Sequence, residues 1–203
     1  MKNYKGSDLL MKCLHELDVE YIFGMGGHGN LAMCDGLYKA QEWIKSIIVH
    51  DESVGASAAG GYFKATGKPG VLLVTNGPGM MQAIPGLVEQ AMENNAIIVI
   101  CGDIPTAQWG YGAEEELDIH MDADQTYLYR GFAKRIFHIN SPEQIPLTVA
   151  RAYNTAITGR TGVVLINCPV DIQSKSISAE LLNKDYHLKK HICIEKPRGN
   201  RES

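Results

Sequence analysis

The chain has 203 residues, 45% apolar and 21% charged, which suits one domain with a full hydrophobic core. Its net charge of −4 argues against a nucleic-acid surface, and no apolar run approaches the roughly 18–20 residues that span a bilayer. Residues 1–8 are polar and lack the apolar stretch of a signal peptide, so a cytoplasmic protein without membrane attachment is expected.

In chain order, residues 7–17 place Leu9, Leu10, Cys13, Leu14 and Leu17 on one helical face. A Val/Ile-rich strand follows at 19–23, then a helix at 30–41 and a strand at 46–50. Residues 53–66 form a small, Ala/Gly-rich helix suited to close packing. A strand at 70–75, a helix at 80–93 and a strand at 96–101 come next. A strand at 134–139, a helix at 142–158 and a last strand at 162–167 complete the set. These strands lack alternation, which predicts a parallel sheet covered on both faces and a doubly wound α/β domain. After Ile172 the chain turns rich in Lys, Ser and Glu without a period. Residues 1–172 are therefore expected to form the domain, and 173–203 a surface-lying arm or disordered tail.

The five cysteines, Cys13, Cys34, Cys101, Cys168 and Cys193, are odd in number, widely spaced and without a C-x-x-C pair. Neither a disulfide framework nor a zinc site is expected, and no metal ligands are assigned to this chain.

Ligands of open parallel sheets bind beyond the carboxyl ends of the strands. There the sequence places Gly24-Met25-Gly26-Gly27-His28-Gly29, then His50-Asp51-Glu52, then Asn76-Gly77-Pro78-Gly79, then Gly102-Asp103-Ile104-Pro105. The first loop matches G-x-G-x-x-G, so a dinucleotide (NAD) module using Gly24, Gly26 and Gly29 is one reading. Gly77-Pro78-Gly79 sets a sharp turn stripped of side chains. Glu52 ends an apolar strand and opens a helix, where the helix dipole favours a carboxylate.

The unbroken 28-residue stretch 52–79, from Glu52 through Gly60-Gly-Tyr-Phe-Lys-Ala-Thr-Gly-Lys-Pro-Gly70 to Gly77-Pro-Gly79, resembles the N-terminal, pyrimidine-binding domain of thiamin-diphosphate enzymes. Among these, acetolactate synthase and the 2-oxo-acid decarboxylases are most similar. Tyr21-Ile-Phe-Gly24, Ile98-Val-Ile-Cys-Gly-Asp-Ile-Pro105 and residues 159–171 extend the likeness over roughly residues 5–172.

The resemblance implies a flavodoxin-like six-stranded parallel sheet with helices on both faces. It implies that Glu52 hydrogen-bonds N1′ of the aminopyrimidine and switches its tautomer, so that N4′ removes the thiazolium C2 proton. The ylide then attacks a 2-oxo acid, and the ring takes up electrons as carbon dioxide leaves. Gly26, Gly27, Glu52, Thr75, Gly77, Pro78, Gly79 and Gln82 would contact the cofactor.

Several positions depart from the family pattern. Gly26-Gly27 stands where Pro-Gly is usual. His28 replaces a small residue, and Glu115 a substrate-facing glutamine; both are candidate substrate residues. The acids Glu114, Glu115 and Glu116 read as a solvated loop, the segment 119–131 as a few residues longer than usual, and His120 as surface decoration. The Gly-Asp-Gly motif and downstream Asn that hold Mg²⁺ and the diphosphate are missing. A separate Gly-Asp-Gly partner chain is therefore expected to supply them, in a hetero-oligomer that also self-dimerises. A non-catalytic subunit of such a complex is the remaining alternative.

Overall fold

The computed structural model describes residues 4–117 and 124–192. Asp118, His120 and Cys193 lie outside them.

The elements are β1 (Tyr4–Lys5), α1 (Gly6–Glu16), β2 (Tyr21–Gly24), α2 (Leu31–Lys39), β3 (Lys45–Ile48), α3 (Glu52–Thr66), β4 (Gly70–Val74), α4 (Pro78–Met92), β5 (Ile97–Asp103), β6 (Arg135–His138), α5 (Ile145–Ile157), β7 (Val163–Pro169), α6 (Val170–Ser174), β8 (Ser176–Ile177) and α7 (Ala179–Asn183). Six strands form one parallel sheet in the order β3-β2-β4-β5-β7-β6. The doubly wound α/β architecture expected from the strand–helix alternation is the one observed. Because β2 is followed in space by β3 on one side and β4 on the other, the strand order reverses between β2 and β4. That reversal opens a crevice at their carboxyl ends.

Alternate side chains of each strand enter opposite faces. Val71, Leu73, Ile98, Ile100, Val164 and Ile166 pack with α1, α2 and α5. Leu72, Val74, Val99, Cys101 and Leu165 pack with α3 and α4. At about 1.5–3 kcal/mol for each large aliphatic side chain fully buried, these two layers are the main favourable contribution to folding.

Local chemistry sets the helix ends. Asp51 caps α3, accepting the N–H groups of Ser53 at 2.8 Å and Val54 at 3.2 Å. Gly67, at φ 72°, ends it in the left-handed region. Pro78 opens α4 at a position whose N–H has no intrahelical partner.

One expectation needs correction. The strands are not all covered on both faces: β3 is an edge strand exposed along its whole length, with Ile48 72% exposed. An apolar composition cannot tell a central strand from an edge strand whose outer face is open. The change of composition after Ile172 falls inside α6. Gln173 is fully buried, β8 pairs antiparallel with β1, and Leu188 is buried against the α1 and α5 layer.

Candidate functional site

The crevice is built from three loops. The loop after β2 runs through Gly26, Gly27 and His28. The residues after β3 deliver Glu52, and the loop after β4 carries Thr75, Asn76, Gly77, Pro78 and Gly79. Glu52 is the first residue of α3 and only 8% exposed. Its carboxyl receives no hydrogen bond from a side chain of the described residues.

Gly79 faces Glu52. A Cβ built on Gly79 would lie 3.1 Å from Glu52 Oε1 and 2.7 Å from Thr75 Cγ2. Any larger residue there would fill the space in front of the carboxyl. A carboxyl of a largely buried residue, without a hydrogen-bond partner among the described residues and behind a wall kept bare of side chains, suits a flat ring presenting a nitrogen.

Thr75 and Asn76 tie the loops together. Gly29 N–H donates to Thr75 Oγ1 at 3.1 Å, the Thr75 hydroxyl donates to Asn76 Oδ1 at 3.1 Å, and Asn76 Nδ2 donates to the Glu115 carbonyl at 3.2 Å. Gly77, at φ 53° and ψ −113°, occupies a conformation that L residues avoid. A Cβ there would meet the Glu115 carbonyl oxygen at 2.2 Å.

Not every expected residue joins this wall. Gln82 is exposed and donates to the outer oxygen of the Asp51 cap at 3.2 Å. Gly26 borders a separate cavity of about 580 Å³ between β2, β3 and α2. His28, half exposed, lies with Nδ1 3.7 Å from Glu114 Oε2. The two line a cavity of about 540 Å³ with Pro105, Gln108 and Tyr111. Glu115 has φ 63°, and its Oε2 is buried without a hydrogen bond from a described residue.

The three consecutive acids do not form a uniformly solvated loop, because Glu116 folds back. Its carboxylate accepts the N–H groups of Gly110, Gly112 and Ala113 at 2.6, 2.7 and 3.1 Å. Of the three, Glu114 alone has an exposed side chain.

The G-x-G-x-x-G loop is also engaged with itself. Gly27 N–H donates to Asn30 Oδ1 at 2.8 Å, and Gly29 N–H to Thr75. These two donors are turned inward, away from any dinucleotide pyrophosphate at the loop.

Residues 4–125 match the family described as thiamine pyrophosphate enzyme, N-terminal TPP binding domain. The chain belongs to the thiamine pyrophosphate enzymes. It is 32% identical over 179 residues to an acetolactate synthase of Arthrospira platensis, covering 87% of this chain and 30% of that protein. It is 33% identical to a probable acetolactate synthase large subunit of Methanocaldococcus jannaschii, covering 87% and 28%. With the chloroplastic acetolactate synthase of Arabidopsis thaliana it shares 29% identity, covering 84% and 24%. The chain thus spans about 30% of the length of the first of these relatives.

Sequence reasoning missed several parts of this thiamine pyrophosphate domain. Gln125 accepts the Gly77 N–H at 3.2 Å, and the Tyr129 hydroxyl donates to the Met80 carbonyl at 2.8 Å. Gln173 donates to the Gly29 and Cys168 carbonyls at 2.7 and 2.6 Å. Behind Gln125 stand Asn167 and Asp103. Burial pushes the Asp103 carboxyl above its ordinary range, partly offset by the hydrogen bond from Asn167. A glutamine or asparagine within an ordinary stretch carries no local signal of a long-range hydrogen bond.

Among the described residues no helix is long and apolar enough to cross a membrane, and no cluster of three or more His, Cys, Asp or Glu is arranged to hold a metal ion.

Proposed function

We propose that this chain supplies the pyrimidine-binding wall and the activating carboxylate of a thiamin-diphosphate-dependent enzyme acting on 2-oxo acids, with acetolactate synthase-like decarboxylation and carboligation. The observation that carries the reading is Glu52, a largely buried residue whose carboxyl has no hydrogen-bond partner among the described residues and faces the bare wall of Gly79. Thiamin diphosphate, when bound, supplies the electron sink for loss of carbon dioxide. Glu52 would hold and return the proton at the aminopyrimidine nitrogen. Gly77, Pro78 and Gly79 would form the surface on which that ring lies, with Gly27 and Thr75 closing its far side. His28 is the candidate to meet the 2-oxo-acid carboxylate from the adjoining cavity, and Glu115 to accept a hydrogen bond from the bound reactants.

Mg²⁺ and the diphosphate would be held by a Gly-Asp-Gly partner chain or domain. The rim beside Glu52 supports such docking, since Val54 is 59% exposed, Met81 is 48% exposed and Pro78 lies on the surface. Apolar residues grouped at the edge of a polar site mark a surface for protein contact. Pairing at this rim would give a hetero-oligomer.

The experiment is to purify the protein with the product of any neighbouring Gly-Asp-Gly gene and assay thiamin-diphosphate-dependent turnover of pyruvate. Turnover should fall about 10²–10⁴-fold in Glu52→Gln, the usual worth of a positioned proton-transfer group. Full activity in that variant, with activity lost only on removing the whole chain, would instead identify a non-catalytic subunit.

A further inference from the structure

The segment around residue 125 carries no glycine motif, yet it reaches the centre of the site. Gln125 and Tyr129 belong to one 3-10 turn, Gln125–Tyr129, and grip the first turn of α4 at both ends. Gly77 N–H donates to Gln125 Oε1, and the Tyr129 hydroxyl donates to the Met80 carbonyl. Between these two attachments lies Gly79, the residue set against Glu52. Tyr129 is completely buried and Gln125 nearly so.

The orientation of the Gln125 amide is itself imposed. Its Nε2 donates to the Gly102 carbonyl and to Asn167 Oδ1, both at 2.9 Å. Asn167 can offer that oxygen because its own Nδ2 donates to Asp103 Oδ2 at 2.7 Å. Asp103 receives on both oxygens, the other accepting the Ile104 N–H at 2.8 Å. Donor and acceptor ends therefore alternate along one buried chain, from Asp103 through Asn167 and Gln125 to the Gly77 N–H. Reversing any one amide would set donor against donor or acceptor against acceptor in a dry interior, which is why such a chain specifies a single geometry.

We infer that Gln125 and Tyr129 are positioning residues for the proton relay at Glu52, bracing the Gly77–Met80 turn against that carboxyl, with Asp103 and Asn167 orienting Gln125. This rests on the role proposed above for Glu52. Neither brace touches the substrate; each acts through the turn.

The test uses two near-isosteric changes, Gln125→Met, which deletes the three hydrogen bonds of that amide, and Tyr129→Phe, which deletes one, in the full protein with any partner chain it requires. The first readout is amide exchange over residues 76–81 without cofactor. It should quicken about fivefold in Tyr129→Phe, the effect of losing one hydrogen bond, and by more in Gln125→Met. The second is steady-state turnover, in which kcat should fall about tenfold or more, since small misplacements near the chemistry cost up to roughly 100-fold. KM for pyruvate should stay within about twofold. A merely structural brace would lower melting temperature and leave kcat alone. Tyr129→Phe, which removes a single oxygen, decides the matter if Gln125→Met does not fold. Wild-type exchange or wild-type kcat in the folded variants overturns the inference. Glu52→Gln is run alongside: if it stays active, the functional reading falls, and the exchange measurement still decides whether the brace exists.

Discussion

Gly77→Ala isolates the contact that closes the site. At φ 53° and ψ −113° the residue sits where an L side chain is strained, at roughly 1–3 kcal/mol. The new Cβ would also lie 2.2 Å from the main-chain oxygen of Glu115, which no side-chain rotation can relieve. Overpacking of that kind adds roughly 1–3 kcal/mol, so the total loss is roughly 2–6 kcal/mol. Gly67→Ala is the matched control: it too has positive φ, 72°, but nothing lies within 4 Å of its Cβ. Its cost should be about 1–2 kcal/mol, the left-handed penalty alone. Urea unfolding of both variants reads the difference directly. At about 2–4 °C per kcal/mol for a protein of this size, Gly77→Ala should also melt several degrees below Gly67→Ala. Equal losses in the two variants would mean that the Glu115 loop does not press on the Gly77 turn, and the account of a wall held in place by that loop would fail.

Other substitutions probe the supports around the crevice. Gln173→Met keeps the volume but strips the Gly29 and Cys168 carbonyls of their donor. It should cost about 2–6 kcal/mol at roughly 1–3 kcal/mol per buried group left unpaired, and an unfolding midpoint unchanged from wild type would contradict it. Glu116→Ala releases the three N–H groups that fold residues 110–116. Chymotrypsin should then cut faster at the exposed Trp109 and Tyr111 while the global melting temperature holds; equal cleavage rates would count against the clamp. For Asp103, burial raises the folded-state pKa above the ordinary 3.8. Its stabilising contribution is complete below that value and is lost as pH rises through the folded pKa. The stability difference between wild type and Asp103→Asn should therefore shift in favour of the variant as pH climbs above about 4, and parallel stability–pH curves would refute the sign.

What the sequence disclosed followed from how local each constraint is. The strand–helix alternation, the Glu52 helix start and the Gly77-Pro78-Gly79 turn are legible because each imposes a demand on a few consecutive residues. Asp51, Gly67 and Pro78 punctuate the helices for the same reason. The exposure of β3 was not legible, because whether a strand lies at an edge depends on which strands pair beside it. Glu116 looked like solvated charge, since nothing in Glu114-Glu115-Glu116 says which carboxylate turns back onto the main chain. The chain from Asp103 through Asn167 and Gln125 to Gly77 joins four residues from distant parts of the sequence. Only the register of β5 against β7, which pairs Cys101 with Asn167, and the docking of the 125–129 turn bring them together. Gln173 was hidden by composition, as one amide at the start of a polar stretch that the fold carries inward.

In the proposed role, Glu52 would hold the proton at the aminopyrimidine nitrogen of bound thiamin diphosphate, on which ionisation at C2 would depend. Deuterium exchange at C2 of bound thiamin diphosphate, followed by quenched-flow NMR in the assembled protein without substrate, measures that step alone. Exchange should be about 10²-fold or more slower in Glu52→Gln than in wild type, with the cofactor still bound. An exchange rate equal to that of wild type would contradict the assignment of Glu52 as the activating carboxyl.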